Sequence, residues 1–573
     1  MSCAGSTNGA DACSAVASNY SACDVRSSKR PKRKVAIIFG YIGERYCGLQ
    51  WNHLPNYPTV EEELLRALHR ADMISEENYA QQKVQQKLNW ERASRTDKGV
   101  HALRNVISLN VMLPYAKDST SEFDVGEARR LLTEALPSDI VVYEIIPVTR
   151  SFNAYMMCGS RKYEYYLPTF AFMNSEEYSN IYFPPSLAPS RPTLEEVGFL
   201  GTKTAGGAAT NANGNGNDAT AGSKRQRLCE KEGGNSNGEV TACCTEQNNL
   251  EGNTSQTCQR SDTIDDTGGG NNNGGDSPQK FHDGLFEKML VFHTIPESAM
   301  QVVARYRVTP QRLEHARNIF KLFEGTHSYH NFTPGGKASD PSSARYITSV
   351  TVSEPFVVDP SDDAMLSALQ LWAPSRYYSP DDERLVSGEV KDDDEVEQER
   401  ERMRERMIRI YGTPAAEGTG DINRNMGDRN RVGLEVVRIE LSGQSFLFNQ
   451  IRKMIGTVAS MCAAGLPPDY LRDHFLNKAV RCGTPMVPAN GLFLTYLDFQ
   501  RYNYRLDRIQ LEGENGKGKG GIYVDRVDEQ AVETFRRKIV AVVLRNEMVT
   551  DAIGRWMRSL RHVMRLACKI ELP

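Results

Sequence analysis

The stretch Ala93-Ser94-Arg95-Thr96-Asp97-Lys98-Gly99-Val100-His101-Ala102 sets one carboxylate between two cations, beside a glycine. An enzyme that keeps an ionised nucleophile in a cleft needs such a setting. Aspartate starts with a pKa of about 3.9, so unlike serine or cysteine it needs no base to activate it. Arg95 and Lys98 favour its charged form. By composition alone a surface loop with ion pairs is the plainer reading, and the residues leave both readings open. His101 reads as a loop or core histidine.

Other candidates are weaker. His327 and His330 form an H-x-x-H, but no acidic or Cys partner is spaced to complete a site, so no metal is expected. Gly40-Tyr41-Ile42-Gly43 has the G-x-x-G spacing of KH clamps, yet it follows a strand and reads as a turn. Phe446, Phe448, Ile451 and Ile455 make an apolar stripe that reads as core. Cys3, Cys13, Cys23, Cys229, Cys243, Cys244 and Cys258 fall in low-complexity sequence and no C-x-x-C occurs. Neither a disulfide framework nor a structural zinc is expected, which fits a reducing compartment.

The elements that must position Asp97 follow from pattern. Residues 34–39 (KVAIIF) read as a strand, and Thr59 with Glu62 as a capping box opening a helix through VEEELLRALHRA. Strands are expected at NVISLNV, IVVYEIIPV and RKYEYYL, with a helix at GEARRLLTEALP before the last two. Thr309-Pro310 supplies a cap and an N1 proline for the helix QRLEHARNIFKLFEG. Strands ARYITSVTV and LEVVRIELSG, a long helix FLFNQIRKMIGTVASMCAAG and a strand LFLTYLDF repeat the grammar. The expected class is α+β. Beyond residue 528, two helical patterns carry Arg on one side, read as a solvated face or an RNA contact.

The 573 residues carry a net charge of −4 and are 39% hydrophobic. Residues 201–280 hold net −3 and 381–400 net −7, leaving +6 on the remainder. The first stretch is Gly/Asn-rich and expected to be disordered, the second to be solvated. The mildly basic remainder permits an anionic partner. There is no run of about 18 apolar residues, so no membrane span is expected. The N-terminal segment lacks the apolar core of a secretory signal. Lys29-Arg30-Pro31-Lys32-Arg33-Lys34 reads as a nuclear localisation signal or an RNA-backbone contact, with a plain solvated tail as the alternative.

The motif SRTDKGVHA resembles the catalytic signature of the TruA-like tRNA pseudouridine synthases. Further segments resemble the same family in order: YCGLQ at 46–50, FNAYMMCGSRKYEYYLPTF at 152–170, FEGTHSYHNFT at 323–333, GQSFLFNQIRKMIG at 443–456 and PANGLFLTYLDFQRYNYR at 488–505. Several look most like the eukaryotic tRNA pseudouridine synthase 1-like branch. The resemblance implies the pseudouridine synthase fold: two ferredoxin-like α+β halves sharing a continuous, mainly antiparallel sheet with a central cleft. It implies isomerisation of uridine to pseudouridine in RNA with no metal, nucleotide or redox cofactor. Asp97 would be the nucleophile or the base acting on the ribose. Tyr163 would stack on the uracil, Arg452 would pair with Asp97, and Arg95 would help flip the base. Arg161 and Lys98 would join Tyr163 and Arg95 in binding substrate. Asn449 stands where the family commonly has a histidine, which leaves Arg452 intact.

Physical reasons accompany these roles. A detached uracil must be retained yet rotate, and an aromatic face stacks at about 1–3 kcal/mol per base without fixing in-plane rotation. The target base must be flipped out of a folded RNA, phosphate contacts would make binding salt-dependent, and RNA shape would supply specificity. The expected organisation is a tail at 1–33, an N-terminal catalytic half at 34–190, a low-complexity insert at 191–285, the start of the C-terminal half at 286–378, an acidic insert at 379–432, the rest of that half at 433–510 and a helical extension at 511–573. The expected partner is tRNA, with snRNA or mRNA as further substrates, and the expected state a monomer in the nucleus, with cytoplasm or mitochondrion as alternatives. The rival is a catalytically inactive RNA-binding or tRNA-folding protein on the same scaffold. A zinc deaminase needs H-x-E and P-C-x-x-C, which the chain lacks.

Overall fold

The computed structural model describes residues 30–182, 296–358, 393–412, 432–512 and 519–563, apart from five loop positions between 55 and 121, with isolated residues between 360 and 368. The expected low-complexity insert and most of the N-terminal tail lie outside the described residues, as do 379–392 and 413–431 of the acidic insert. Ten strands form one sheet: β1 (Lys32–Tyr41), β2 (Glu91–Arg92), β3 (His101–Met112), β4 (Ile140–Pro147), β5 (Arg161–Pro168), β6 (Gly325–Ser328), β7 (Ala344–Val352), β8 (Phe356–Val358), β9 (Leu434–Gly443) and β10 (Leu492–Leu497). Their order is β4-β1-β3-β10-β5-β9-β7-β6, with β2 beside β3 and β8 beside β9.

All pairings are antiparallel except β3 with β10. Strand β10, from late in the chain, wedges between β3 and β5 of the N-terminal half, and β5 in turn lies against β9. The two halves therefore share one continuous, mainly antiparallel sheet, as the α+β expectation requires.

The longer helices are α1 (Val60–Arg70), α2 (Val125–Ala135), α3 (Pro310–Lys321), α4 (Asp393–Tyr411), α5 (Gln450–Ala464), α6 (Gln500–Glu512), α7 (Glu529–Thr550) and α8 (Ala552–Val563). Among the described residues no helix is long and apolar enough to cross a membrane. In β1, consecutive residues Val35 to Phe39 are all fully buried. Alternate side chains point to opposite sides, so both faces of this strand are covered. Val35, Ile37, Ile38 and Phe39 each contribute about 1.5–3 kcal/mol by leaving water. A Cβ on Gly40 would meet Leu103 O at 2.5 Å and the Phe535 ring of α7 at 2.9 Å. Helix α7 thus lies close against the strands, and the turn reading of the G-x-x-G spacing gives way to a packing role at Gly40.

Local chemistry explains where pattern succeeded and where it failed. Thr309 accepts from Arg312 N at 3.3 Å and Pro310 occupies the first turn of α3. The capping box at Thr59 does not form. Thr59 precedes α1 in extended geometry, but its hydroxyl caps nothing and is buried without a partner. Glu62 instead pairs with Arg66 one turn on, at 2.7 Å. Helix α5 starts later than its apolar run, because Asn449 adopts φ +62° and Leu447 N donates to Gln450 Oε1 at 2.8 Å.

Within the 379–432 insert the described residues form α4, where Glu397, Glu399 and Glu401 pair with Arg400, Arg402 and Arg404 three residues on; beyond the 381–400 stretch expected to be solvated, its last residues bury Met407, Ile410 and Tyr411. Arg406 donates to Val549 O of α7 at 2.8 Å. Helix α7 is not a solvated basic face. Arg545 is fully buried and reaches both Glu44 carboxylate oxygens at 2.6 Å, and Arg536 holds Glu164 of β5 at 2.7 Å. These arginines lock the helical extension to the sheet.

Candidate active site

Strand β2 delivers the chain to the Asp97 loop. Glu61 on α1, fully buried, accepts from Trp90 Nε1 at 2.9 Å, Gln85 Nε2 at 2.9 Å, Trp51 N at 3.1 Å and the Arg92 guanidinium. These donors satisfy both carboxylate oxygens, and the side chain fixes the residues that enter the loop. Ala93 N then donates to Val106 O at 2.8 Å.

From there anchors face inward at alternate residues. The Ser94 hydroxyl shares a 2.7 Å hydrogen bond with the Tyr163 hydroxyl, and Thr96 Oγ1 one of 2.7 Å with the Tyr41 hydroxyl. Leu49 N donates to Thr96 O at 3.2 Å and Gly99 N to Tyr46 O at 3.2 Å. Gly99, at φ +76°, turns the chain into β3. Gly48, at φ +92°, lies so close that a Cβ there would meet Thr96 O at 2.9 Å. That gives the YCGLQ segment a physical role: it is the wall against which the loop is pressed. With Ser94 and Thr96 turned in, Arg95 and Lys98 are exposed and Asp97 is half-buried.

Tyr163 sits mid-sheet on β5, opposite Leu494 of β10 and Leu441 of β9. Its ring meets that of Phe446 edge-on, centroids 5.3 Å apart at 84°. Burial pushes its phenol up to about 12, so it is protonated at neutral pH. Phe446, read from the sequence as core, is also a wall of Tyr163, whereas Phe448 from the same stripe is exposed. Arg452 lies in the first turn of α5, nearly buried, and its Nε donates to Val487 O at 2.8 Å. Helix and carbonyl can approach because Gly456 has no Cβ, which would stand 2.3 Å from Pro485 O.

The three principal candidates converge. Burial pushes the Asp97 carboxyl above the ordinary aspartate range, and the Arg452 guanidinium pulls it part of the way back. The Asp97 charge also acts on the Tyr163 phenol. Arg452 was expected to pair with Asp97; among the described residues no direct ion pair joins them, and the guanidinium acts through space while anchored to Val487 O.

Arg161 departs from its expected substrate contact. It is buried, with Nη2 on Ala93 O at 2.8 Å and Nη1 on Gln444 O at 2.7 Å. Its donors clamp the Asp97 loop to the segment ahead of α5. His101 is a core residue: it accepts from Gly43 N at 3.0 Å, and burial lowers its pKa to about 4. His327 and His330 bond to Glu324 O, Ser328 Oγ and Val480 O at 2.9–3.1 Å, so both imidazoles serve loop structure.

Comparison with known proteins bears on this arrangement. A family model described as tRNA pseudouridine synthase matches residues 319–500. A Kluyveromyces lactis protein named tRNA pseudouridine synthase 1 is similar at 26% identity over 518 residues, covering 88% of this chain and 69% of its own. Its Yarrowia lipolytica counterpart is similar at 26% over 515 residues, covering 89% and 71%. The chain is similar to tRNA pseudouridine synthases along most of its length.

A Saccharomyces cerevisiae relative named tRNA pseudouridine(27/28) synthase is 26% identical over 473 residues, 82% of this chain and 86% of its own. The fold is that of pseudouridine synthases, with the family-model match spanning β6 to β10 and including Arg452. Sequence reasoning missed Ser94 as the partner of Tyr163, Glu61 as the anchor of the loop and Arg161 as its clamp. Ser94 had a signal, since it begins the SRTD motif; Glu61 and Arg161 had none, because their partners are distant in sequence.

Proposed function

We propose that this chain isomerises specific uridines in tRNA to pseudouridine, with Asp97 as the nucleophile. The C1′–N1 bond of the target breaks, uracil turns on the face of Tyr163, and C5 bonds to C1′. The C5 proton leaves, N1 gains a proton, and no atoms are added overall. Asp97 supports this reading because burial desolvates its carboxyl while the Arg452 guanidinium favours its charged form. Arg452 offsets part of the burial cost through space. Tyr163, neutral and held by Ser94, offers a flat face that restrains a free base by stacking.

The observation that carries the proposal is the 2.7 Å Ser94–Tyr163 hydrogen bond, which ties the Asp97 loop to the strand bearing the stacking ring. Exposed Arg95 and Lys98 beside Asp97 suit the RNA backbone and the gap left by a flipped base. We extend the proposal to snRNA or mRNA uridines in similar folds, to a monomeric enzyme, and to entry into the nucleus directed by the basic run at 29–34. The test is to incubate purified wild type, Asp97→Ala and Asp97→Asn with a tRNA transcript and map pseudouridine by mass spectrometry. Wild type is expected to form it, and both variants to bind tRNA without forming it. Wild-type turnover by the Asn variant would remove Asp97 from its role.

A further inference from the structure

Large apolar side chains left in water singly need no explanation. Tyr155 and Met156 are different, because they are consecutive, 61% and 74% exposed, and held in place. Asn153 Oδ1 accepts from Tyr155 N at 2.9 Å and from Met156 N at 3.0 Å, and Met157 N closes the turn on Asn153 O at 3.0 Å. Ala154 beside them is buried, its N donating to Ser108 Oγ of β3 at 3.2 Å. The turn is therefore rooted in the sheet and presents two apolar side chains outward at a fixed place.

That place adjoins the site. The Arg161 guanidinium lies 6.0 Å from the Tyr155 ring centroid, and the same guanidinium holds Ala93 O, one residue before Ser94. Arg95 and Arg345 also interact electrostatically with the Tyr155 phenol. Arg345 is tied to Ser342 O and Ala344 O through Nη1, while Arg95 is exposed and makes no ion pair among the described residues. An exposed ring with cations around it matches an anionic partner that also has flat apolar faces. A nucleic acid strand with an unstacked base has both.

We propose that Tyr155, with Met156 beside it, forms a stacking shelf for an unpaired RNA base adjacent to the uridine held at Tyr163. This deepens the proposed function and rests on it. Extruding the target uridine breaks the stack on its neighbour; the shelf takes up that neighbour's face, while Arg95 meets the backbone between the two.

The test measures total-tRNA binding to the full chain over a range of salt. Tyr155→Ala should weaken binding about tenfold or more, and Tyr155→Phe should bind as wild type, since the ring and not the hydroxyl carries the contact. The slope of log affinity against log salt should be the same for Tyr155→Ala and wild type, because no charge is lost. Arg95→Ala should reduce that slope by about one. Tyr155→Trp should bind as wild type and lose indole fluorescence on adding tRNA, measured against the wild-type signal. Unweakened binding by Tyr155→Ala, or an added indole that RNA does not quench, overturns the shelf. If the variants show binding and quenching as expected yet wild type forms no pseudouridine, the proposed function falls and the shelf stands. If wild type forms pseudouridine and Tyr155→Ala binds normally, the shelf alone falls.

Discussion

Asp97→Asn should make the protein inactive and more stable at neutral pH. In the unfolded chain the carboxyl titrates near its reference value of 3.8; in the folded chain burial outweighs Arg452 and holds it higher. The folded state therefore binds this proton more tightly. Its contribution to stability is fully present below the unfolded pKa and is lost as pH rises through the folded one. Above the folded value the native state carries a charge it would rather neutralise, at about 1.4 kcal/mol for each pKa unit of the rise. Asparagine removes that cost. With roughly 360 described residues, unfolding entropy comes to about 0.8 kcal/mol/K, so each kcal/mol moves Tm by about 1.3 °C. Melting curves for both proteins at pH 8 and pH 5, beside pseudouridine assays, check this. The variant's Tm should exceed wild type's at pH 8, and the gap should narrow toward acid. A variant less stable at pH 8, or a gap that widens toward acid, would refute the reasoning.

Arg452→Gln removes the cation that offsets the burial of Asp97, so the acid limb of the kcat/KM–pH profile should move to higher pH; an unmoved limb would separate Arg452 from Asp97. Ser94→Ala leaves the buried Tyr163 hydroxyl without its partner and should cost about 1–3 kcal/mol in urea unfolding. Adding Tyr163→Phe to it should recover part of that loss, and strict additivity would show that the two hydroxyls do not interact. Arg545→Met leaves Glu44 buried without its counter-charge and should cost about 3–5 kcal/mol. A change under 1 kcal/mol in urea unfolding would mean that this pair does not hold α7 to the turn that follows β1.

The central strands were legible because of a continuous apolar run at 35–39 and of β-branched and apolar residues interleaved with polar ones at 434–443. Helix α3 was legible because its signals, Thr309 and Pro310, are local. Helix α4 was not: its surface is dominated by alternating charge, and the few residues it buries, Met407, Ile410 and Tyr411, lie in one final turn. Thr59 misled because the capping-box pattern ignores competition, and Glu62 had a better partner in Arg66. At the site, Asp97, Tyr163 and Arg452 were legible through motifs. The bonds that position them were not, since Arg161 reaches Gln444 and Glu61 reaches Arg92 across separations that no window of sequence spans.

The wedge of β10 between β3 and β5 has a consequence for synthesis. Strand β5 is finished at Pro168 and β10 only at Leu497. At about 5–20 residues per second, tens of seconds separate the two on the ribosome. Throughout that interval both flanking strands present open edges to the cytosol, where chaperones or unwanted partners can bind them. A message truncated anywhere in between yields not a weak enzyme but an unclosed fragment fit for degradation.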